Sequence, residues 1–363
     1  MDFQFYELEV SEIVRETKDA VSIYFEVPDQ LKDKFTYKPG QYVTVKCNID
    51  GETERRAFSL STNPFDDDRI AITVKELDGG FVSAYFNNEL TPGSKMEVMP
   101  PLGDFTMQLN EQNQKYYAMI GGGSGITPLM SILKSILYTE KESKIVLFYA
   151  NSGEETIIFK DKLEELEKKY PGQFKLVHIL SKPSENWAGL RGRIDKERLK
   201  DLLKEYFGGH LDETEFLLCG PYGLMQQVLL GLEEIGVTYD RIHKESYIVG
   251  AHEEVEVDSE KGKLEEENEI VTRKVQITLY AEDHEFEVEP DETILTAAMR
   301  EGHDPPFSCQ IGACSTCRAK LESGKVHMDE REALTDEEIE EGYILTCQSH
   351  PLTDNVKVDY DYE

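Results

Sequence analysis

Four of the six cysteines of this 363-residue chain fall in its C-terminal segment. Cys309, Cys314 and Cys317 stand close together in the stretch CQIGACSTC, and Cys347 follows after a longer gap. Clustered thiols in a reducing compartment bind metal more often than they form disulfides. The segment is therefore predicted to fold around an inorganic site that takes four thiolate ligands.

The spacing of these cysteines narrows the kind of site. Two residues separate Cys314 from Cys317 and four separate Cys309 from Cys314, which is the plant-type 2Fe-2S arrangement. The small residues between the first two cysteines, Gly312 and Ala313, keep the loop short enough to wrap a cluster. A structural zinc site is the alternative, although zinc usually takes paired CxxC motifs or histidines.

The segment from about residue 275 to 362 resembles a plant-type ferredoxin. Its stretches GACSTCRAKLESGKV and YILTCQSHPLTDNVKVDYD look like the ferredoxin domain of the phenylacetyl-CoA epoxygenase reductase group. The resemblance implies an α+β, ferredoxin-like (β-grasp) domain with Cys309, Cys314, Cys317 and Cys347 as cluster ligands. Cys47 and Cys219 lie outside this set and are not expected to bind the cluster.

The rest of the chain divides by its hydrophobic pattern. Up to about residue 108, short alternating runs such as AVSIYFEV and QYVTVKC predict an antiparallel β-barrel or sandwich. From Tyr116 onward, apolar strands alternate with helices, which predicts an α/β doubly wound parallel sheet. We expect a multidomain chain with limits at 1–110, 111–250, an acidic linker at 251–272, and 273–363.

The sequence RAFSLS in the first domain resembles the RxYSxxS flavin motif of the ferredoxin-NADP reductase superfamily. The resemblance implies that Arg56 pairs with the flavin pyrophosphate, that Phe58 packs against the cofactor, and that Ser59 approaches the flavin N5 as a catalytic residue. Phe58 departs from the more usual Tyr of this motif, so stacking is expected without a hydroxyl contact.

A second flavin element is expected at GGFVSAYF, where Gly80, Val82 and Ser83 resemble a phosphate-binding helix start. An ordinary turn with a serine cap is the alternative. PPLGDF resembles the turn that ends the flavin barrel. FAD is preferred to FMN because this second phosphate element is present, although a related FMN-containing group shares the domain order.

The loop GGGSGITPLMS follows an apolar strand and enters a helix. It resembles the superfamily's GxGxTP loop, which implies that Gly123, Ser124, Gly125 and Thr127 approach a nucleotide pyrophosphate. A lone glycine-rich turn would be weak evidence for this function.

The turn CGPYGLM resembles the Cys-Gly-Pro turn that lies beside the nicotinamide in this superfamily. The resemblance assigns Cys219, with Ser59, to the catalytic residues, and Gly220 and Pro221 to cofactor binding. In HKESY, Glu245 and Tyr247 occupy a place where relatives put an acid and an aromatic residue near the flavin.

The choice of nicotinamide cofactor rests on the residues after the strand FKLVHIL. Ser181 and Lys182 resemble a Ser-Arg pair that holds the 2′-phosphate in NADPH-using relatives, which favours NADPH over NADH. Glu154 and Glu155 would oppose that charge. A solvated surface explains Lys182 equally well.

Charge and hydropathy restrict the partners. The net charge of −33 excludes phosphate-based binding of nucleic acid, and residues 273–363 carry 8 Lys and Arg against 22 Asp and Glu. A partner with a basic docking patch is expected, with simple solubility as the alternative. The start of the chain lacks signal-peptide features, and no run of about 18 apolar residues occurs, so a cytoplasmic protein without membrane insertion is expected.

The resemblance covers nearly the whole chain in the order flavin, nicotinamide and ferredoxin domain. It implies an NAD(P)H-dependent oxidoreductase that passes electrons from NADPH or NADH through FAD and a 2Fe-2S cluster to a partner oxygenase, hydroxylase or desaturase. A non-enzymatic redox sensor or electron carrier is the alternative, although such a protein needs neither the flavin nor the nicotinamide motif.

Overall fold

The structure of the protein is a computed structural model in which the chain forms two compact units, residues 1–247 and 248–363. Most of the predicted linker, residues 251–269, lies outside the described residues, as do Cys309 and Cys314. No described helix is long and apolar enough to cross a membrane. The structure describes residues 4–49, 52–77, 80–103, 105–246, 270–279, 282–290, 292–303, 305–307, 312, 317–331 and 334–362.

The first unit begins with an antiparallel barrel, which confirms the prediction from alternating residues. Its sheet order is β4-β3-β6-β1-β2-β5, and a bridge between Leu60 and Ile72 brings the end of β4 back to β5. One helix, α1, stands between β5 and β6. The elements are β1 (Tyr6–Thr17), β2 (Ala20–Glu26), β3 (Tyr42–Ile49), β4 (Glu52–Ser59), β5 (Ile70–Lys75), α1 (Phe81–Asn88) and β6 (Lys95–Val98).

The same unit continues into a parallel sheet with helices between its strands, as predicted. The strand order is β10-β9-β8-β7-β11-β12, with parallel pairing at every step. The elements are β7 (Tyr116–Gly122), α2 (Ile126–Thr139), β8 (Lys144–Asn151), α3 (Lys160–Lys169), β9 (Phe174–Leu180), β10 (Leu190–Arg191), α4 (Lys196–Phe207), β11 (Thr214–Gly220), α5 (Tyr222–Glu234) and β12 (Ile242–Ser246).

The order of this sheet creates a switch point between β7 and β11. The chain leaves β7 toward β8 on one side and returns to β11 on the other. Doubly wound sheets bind ligands at such a point, outside the carboxyl ends of the strands. The glycine-rich loop after β7 and the Cys-Gly-Pro turn after β11 both lie there.

Polar side chains join the barrel to the sheet. Ser131 Oγ on α2 donates to the Thr62 carbonyl at 2.6 Å, and Ser135 Oγ donates to Asn63 Oδ1 at 3.0 Å. Lys162 on α3 pairs with Glu16 on β1 at 2.7 Å. These directional contacts set the position of the glycine-rich end of α2 relative to the flavin motif on β4.

The second unit is built on a mixed five-stranded sheet of order β14-β13-β19-β15-β17. β13 pairs parallel with β19, the other pairs are antiparallel, and α6 packs on the sheet through Ile294, Ala297 and Ala298. β13 and β14 form an antiparallel hairpin, and this mixed sheet with its helix agrees with the α+β fold expected from the resemblance. The elements are β13 (Arg273–Leu279), β14 (Glu282–Val288), α6 (Ile294–Arg300), β15 (Arg318–Ser323), β16 (Val326–Met328), α7 (Asp336–Glu340), β17 (Tyr343–Leu345), β18 (Ser349–Pro351) and β19 (Val356–Asp359).

A buried carboxylate ties the barrel-to-sheet connection to the end of α2. Glu140 is fully buried. It accepts hydrogen bonds from Tyr117 Oη at 2.9 Å, Ser143 Oγ at 2.7 Å, Asn113 Nδ2 at 2.6 Å and the Asn110 amide at 3.2 Å. Burial and the Glu140 charge both raise the pKa of Tyr117, which keeps this phenol protonated as a donor.

Replacing Glu140 with Ala should lower the free energy of unfolding of the first unit by roughly 3 kcal/mol, because several buried donors lose their acceptor. Denaturant unfolding followed by the fluorescence of Trp187, the single tryptophan, measures this change. Glu142→Ala, on the exposed neighbouring surface, is the control and should change stability by less than about 0.5 kcal/mol. Equal stability of the two variants would contradict a structural role for Glu140.

Candidate functional site

Strand β4 displays the predicted flavin motif at the edge of the barrel. Because side chains alternate along a strand, Arg56 and Phe58 share one face. Arg56 is exposed, whereas Phe58 is half-buried and contacts Phe86 with ring centroids 5.4 Å apart. Phe58 thus packs on the barrel core with one side and remains partly accessible on the strand face that it shares with Arg56.

Ser59 lies on the opposite face of β4 and is buried. Its Oγ donates to Glu245 Oε2 on β12 at 3.2 Å. Glu245 is in turn the register partner of Cys219 on β11. The structure therefore brings Ser59 and Cys219, the two predicted catalytic residues, into one neighbourhood through Glu245.

The second predicted flavin element forms the start of α1, with Gly80 as its cap. Val82 is buried in the barrel core, and the Ser83 hydroxyl donates to the Gly80 carbonyl and accepts from the Leu77 amide, both at 3.1 Å. The cap is a glycine and not the serine of the alternative interpretation. The backbone N-H groups in the first turn of a helix have no acceptor within that helix. They are therefore the groups of this turn that could contact a ligand.

The glycine-rich loop is a short 3-10 turn that leads directly into α2. Gly123 has a φ of +53°, which favours glycine. A Cβ on Gly125 would lie 2.1 Å from the Cys219 carbonyl oxygen, so this position accepts no side chain. Thr127 Oγ1 donates to the Ser124 carbonyl at 3.0 Å and closes the turn.

The Cys-Gly-Pro turn faces this loop across the switch point. A Cβ on Gly220 would lie 2.9 Å from the Gly122 amide nitrogen, and Pro221 is exposed at the start of α5. Cys219 is fully buried, with its side chain in the apolar core beside Leu129. The two turns thus present backbone, and little side-chain bulk, at the switch point.

A buried tyrosine that the sequence analysis missed supports the loop. Tyr149 Oη on β8 donates to the Gly123 carbonyl at 2.9 Å, and burial raises the pKa of this phenol. The Tyr149 hydroxyl therefore remains a hydrogen-bond donor and fixes the Gly123 turn to strand β8. An aromatic residue at the end of a buried strand gave no signal of this function.

Ser181 and Lys182 follow β9 at the same carboxyl edge. Their amides donate to the carbonyls of Asn151 at 3.0 Å and Ser152 at 2.7 Å, which extends the pairing with β8. Lys182 is exposed.

The Glu154 carboxylate forms hydrogen bonds with Ser184, in the loop that follows Ser181 and Lys182. It accepts from the Ser184 hydroxyl at 2.5 Å and from the Ser184 amide at 3.1 Å. These hydrogen bonds hold the pKa of Glu154 below its usual value. The carboxylate that was expected to oppose Lys182 is thus engaged by the loop itself.

Two of the four predicted cluster ligands lie within the described residues, and they are adjacent. The Sγ atoms of Cys317 and Cys347 are 3.2 Å apart, both side chains are buried, and neither forms a disulfide. Two sulfurs bound at about 2.3 Å to one tetrahedral ion stand roughly 3.8 Å apart, which is somewhat longer than the separation found here. The two side chains are near enough to bind one metal ion once the sulfurs move slightly apart.

Hydrogen bonds hold this cysteine pair in place. The amide and hydroxyl of Thr346 both donate to the Cys317 carbonyl, at 3.2 and 3.0 Å, and Tyr360 Oη donates to Thr346 Oγ1 at 2.9 Å. Burial raises the pKa of Tyr360, and the charges of the two cysteines raise it further. The cysteine pair is thus anchored from the strand β19 side of the unit.

Gly312 is the described part of the cysteine loop. It has a φ of +71°, and a Cβ there would lie 2.8 Å from Glu330 Cβ and 3.1 Å from Gln348 Cγ. Both the positive φ of Gly312 and the short distances to Glu330 and Gln348 favour a residue without a side chain here, as the sequence analysis expected. Gln348 was not singled out from sequence, although its position directly after Cys347 is a signal that was available.

The remaining cysteines lie in apolar cores of the first unit. Cys47 packs inside the barrel and Cys219 packs under the parallel sheet.

Family models match three successive parts of the chain. Residues 7–107 match the Oxidoreductase FAD-binding domain, residues 119–229 the Oxidoreductase NAD-binding domain, and residues 277–352 the 2Fe-2S iron-sulfur cluster binding domain. The FAD, nicotinamide and 2Fe-2S assignments made from sequence are thereby confirmed.

Two curated relatives align over nearly their full lengths. One is a subunit of the 1,2-phenylacetyl-CoA epoxidase of Escherichia coli, which is 35% identical over 98% of both chains. The other is the ferredoxin reductase component of 3-ketosteroid-9-alpha-monooxygenase from Rhodococcus rhodochrous, which is 34% identical over 97% of this chain and 96% of its own.

A solved structure supports the fold. Phthalate dioxygenase reductase, described as modular for electron transfer from pyridine nucleotides to [2Fe-2S], matches 98% of both chains with a TM-score of 0.64 and 21% identity. The curated relatives and the three family models show that the chain belongs to the family of oxygenase reductase components, oxidoreductases with FAD-binding, NAD-binding and 2Fe-2S domains that transfer electrons to oxygenase systems.

Proposed function

We propose that this chain arranges a relay in which NAD(P)H reduces FAD and a 2Fe-2S cluster passes the electrons singly to a partner oxygenase, hydroxylase or desaturase. The observation that carries the proposal is the 3.2 Å contact between Ser59 of the flavin motif and Glu245 at the carboxyl edge of the nucleotide sheet. It joins the two halves of a hydride-transfer site. We also propose domain limits at 1–110, 111–250 and 273–363, with an acidic linker at 251–272.

The residues of β4 and α1 would hold the flavin. We assign Arg56 to its pyrophosphate, the accessible side of Phe58 to packing, and the backbone around Gly80, Val82 and Ser83 to a phosphate. Arg56 supports this assignment because it is an exposed cation on the same strand face as Phe58.

Ser59 and Cys219 would border the reacting atoms. Glu245 accepts a hydrogen bond from the Ser59 hydroxyl, and this bond holds the hydroxyl in one orientation. Cys219 contributes a buried, apolar floor because its thiol lies within the core. Ser59 and Cys219 have no general-base role in this proposal, because hydride transfer requires no general base.

The carboxyl edge of the sheet would bind the dinucleotide. Gly123, Ser124, Gly125 and Thr127 offer backbone to the pyrophosphate, and the turn of Gly220 and Pro221 leaves room for the nicotinamide ring. The close packing of Gly125 on Cys219 supports this arrangement, because it brings both turns to one place.

Cys309, Cys314, Cys317 and Cys347 would provide the four cluster thiolates. The adjacency of the Cys317 and Cys347 sulfurs supports this set. We place the protein in the cytoplasm, where such thiols are kept reduced.

Cys347→Ala should remove one thiolate and abolish the 2Fe-2S spectrum, while NAD(P)H still reduces the flavin and ferricyanide still takes electrons there. Reduction of cytochrome c or of the partner oxygenase should lose most of its rate. Cys47→Ala, a buried thiol of the barrel, is the matched control and should keep both activities and full iron and sulfide content. Full delivery to the oxygenase by Cys347→Ala would make the flavin the exit point and reject the relay. Zinc without iron in the purified protein would reject the cluster itself.

Lys182→Ala should weaken NADPH binding more than NADH binding, because Ser181 and Lys182 are proposed to hold the 2′-phosphate. Loss of one exposed contact to a dianion should cost on the order of 1 kcal/mol, or several-fold in apparent affinity. Steady-state KM values for both nucleotides measure this. Lys168→Ala, an exposed lysine of α3, should leave both values unchanged. An equal loss for the two nucleotides would argue that Lys182 belongs to a solvated surface only.

The partner is proposed to carry a basic docking patch that meets the acidic surface of α7. Glu337 and Glu340 are exposed on this helix, whose Ile339 packs against the core that holds Cys317 and Cys347. Electrons delivered from this surface would have a short path from the cluster.

Electron transfer from the prereduced protein to its oxygenase should therefore slow as salt rises, because screening weakens the attraction. In a stopped-flow experiment, the double variant Glu337→Gln, Glu340→Gln should lower the second-order rate and flatten its salt dependence. The matched double variant Glu285→Gln, Glu287→Gln, on the β14 edge, should behave as the unaltered protein. A rate that stays constant or rises with salt would support the solubility explanation.

A further inference from the structure

Gln348 directly follows a proposed cluster ligand and is buried. We propose that its side-chain amide is a positioning residue that raises the reduction potential of the 2Fe-2S cluster by donating an N-H to the Cys347 sulfur. The inference rests on the proposed function, since it requires that the cluster be bound at the four cysteines.

The donor count of the amide supports this role. Gln348 Nε2 lies 2.8 Å from the Cys347 carbonyl oxygen and 3.6 Å from Cys347 Sγ. A side-chain amide nitrogen carries two hydrogens, enough to donate to both of these acceptors. The flipped amide would set its oxygen against a carbonyl and a thiolate, both of which are acceptors. The electrostatics of the site therefore require the nitrogen to face the sulfur.

The surroundings leave this amide little freedom. Gln348 lies in the 3-10 turn that carries Cys347. The backbone carbonyl of Gln348 accepts a hydrogen bond from the Asp329 backbone amide at 2.9 Å, which fixes the backbone at this position. Its Cγ lies 3.1 Å from where a Cβ of Gly312 would stand. The side chain thus lies between Gly312 and the Cys347 sulfur, and the N-H is oriented before the cluster is reduced.

Reduction of the cluster adds one negative charge that its sulfurs share. A hydrogen bond to a ligand sulfur becomes stronger as that charge grows, especially in a buried site of low dielectric. The reduced state is therefore stabilised more than the oxidised state, and the potential rises. Removing the donor lowers the potential without removing a ligand.

The test is a spectroelectrochemical titration of the full chain with bound cofactors. Gln348→Met keeps a side chain of similar length and removes the N-H. The reduction potential is expected to fall. The equilibrium constant for cluster reduction should decrease by up to about tenfold, which corresponds to 59 mV for a one-electron couple. Iron and sulfide content should equal that of the unaltered protein. Gln276→Met makes the same exchange on β13, away from the cysteines, and should leave the potential unchanged.

Gln348→Asn provides a second measurement, because it keeps the amide but shortens its reach by one methylene. Its potential should also fall. A full cluster with an unchanged potential in both variants would overturn the inference, and so would loss of the cluster from both, which would assign Gln348 to assembly. If the unaltered protein showed no 2Fe-2S spectrum, the proposed function itself would fail. A normal spectrum with an unmoved potential would remove only this inference.

Discussion

The contact between the Gly125 backbone and the Cys219 carbonyl organises the first unit. A Cβ on Gly125 would stand 2.1 Å from that oxygen, so the loop after β7 packs on β11 with no side chain between them. This contact closes the switch point of the sheet and brings the glycine-rich loop and the Cys-Gly-Pro turn together. Tyr149 supports the loop from below through its hydrogen bond to Gly123. The positions of α2 and β12, which flank the site, depend on this contact.

The barrel meets the sheet through hydroxyl, amide and charged groups as well as apolar packing. The hydrogen bonds of Ser131 and Ser135 and the Lys162 pair with Glu16 are directional, so they define one orientation of the two parts. The same orientation sets Ser59 against Glu245 at 3.2 Å. A hydride-transfer site needs this kind of precision because its reacting atoms must be held in near contact. Buried polar groups achieve it since each loses free energy when its partner moves away.

The second unit follows a different physical plan, in which a small apolar core surrounds a pair of thiols. Thr346 and Tyr360 anchor the Cys317 carbonyl, and the Gly312 backbone packs closely against Gln348. The charged groups of this unit lie mainly on its surface, and α7 carries a dense acidic set beside the cysteine core. The buried cysteine pair and the acidic surface charges thus lie in different parts of the unit.

The sequence alone determined the cysteine spacing, the succession of an antiparallel and a parallel sheet, and the motifs at β4, β7 and β11. These features depend on residues close together in the chain, because local spacing and periodicity decide which backbone can form and which ligands a loop can provide. The tertiary structure alone decided that Ser59 meets Glu245, 186 residues away, that Glu140 collects four donors, and that Gln348 points its amide at a sulfur. Such contacts depend on strand register and on the packing of distant elements. For Ser59 and Glu245, which lie on strands, a register shift of one residue would turn the side chain to the other face of its sheet.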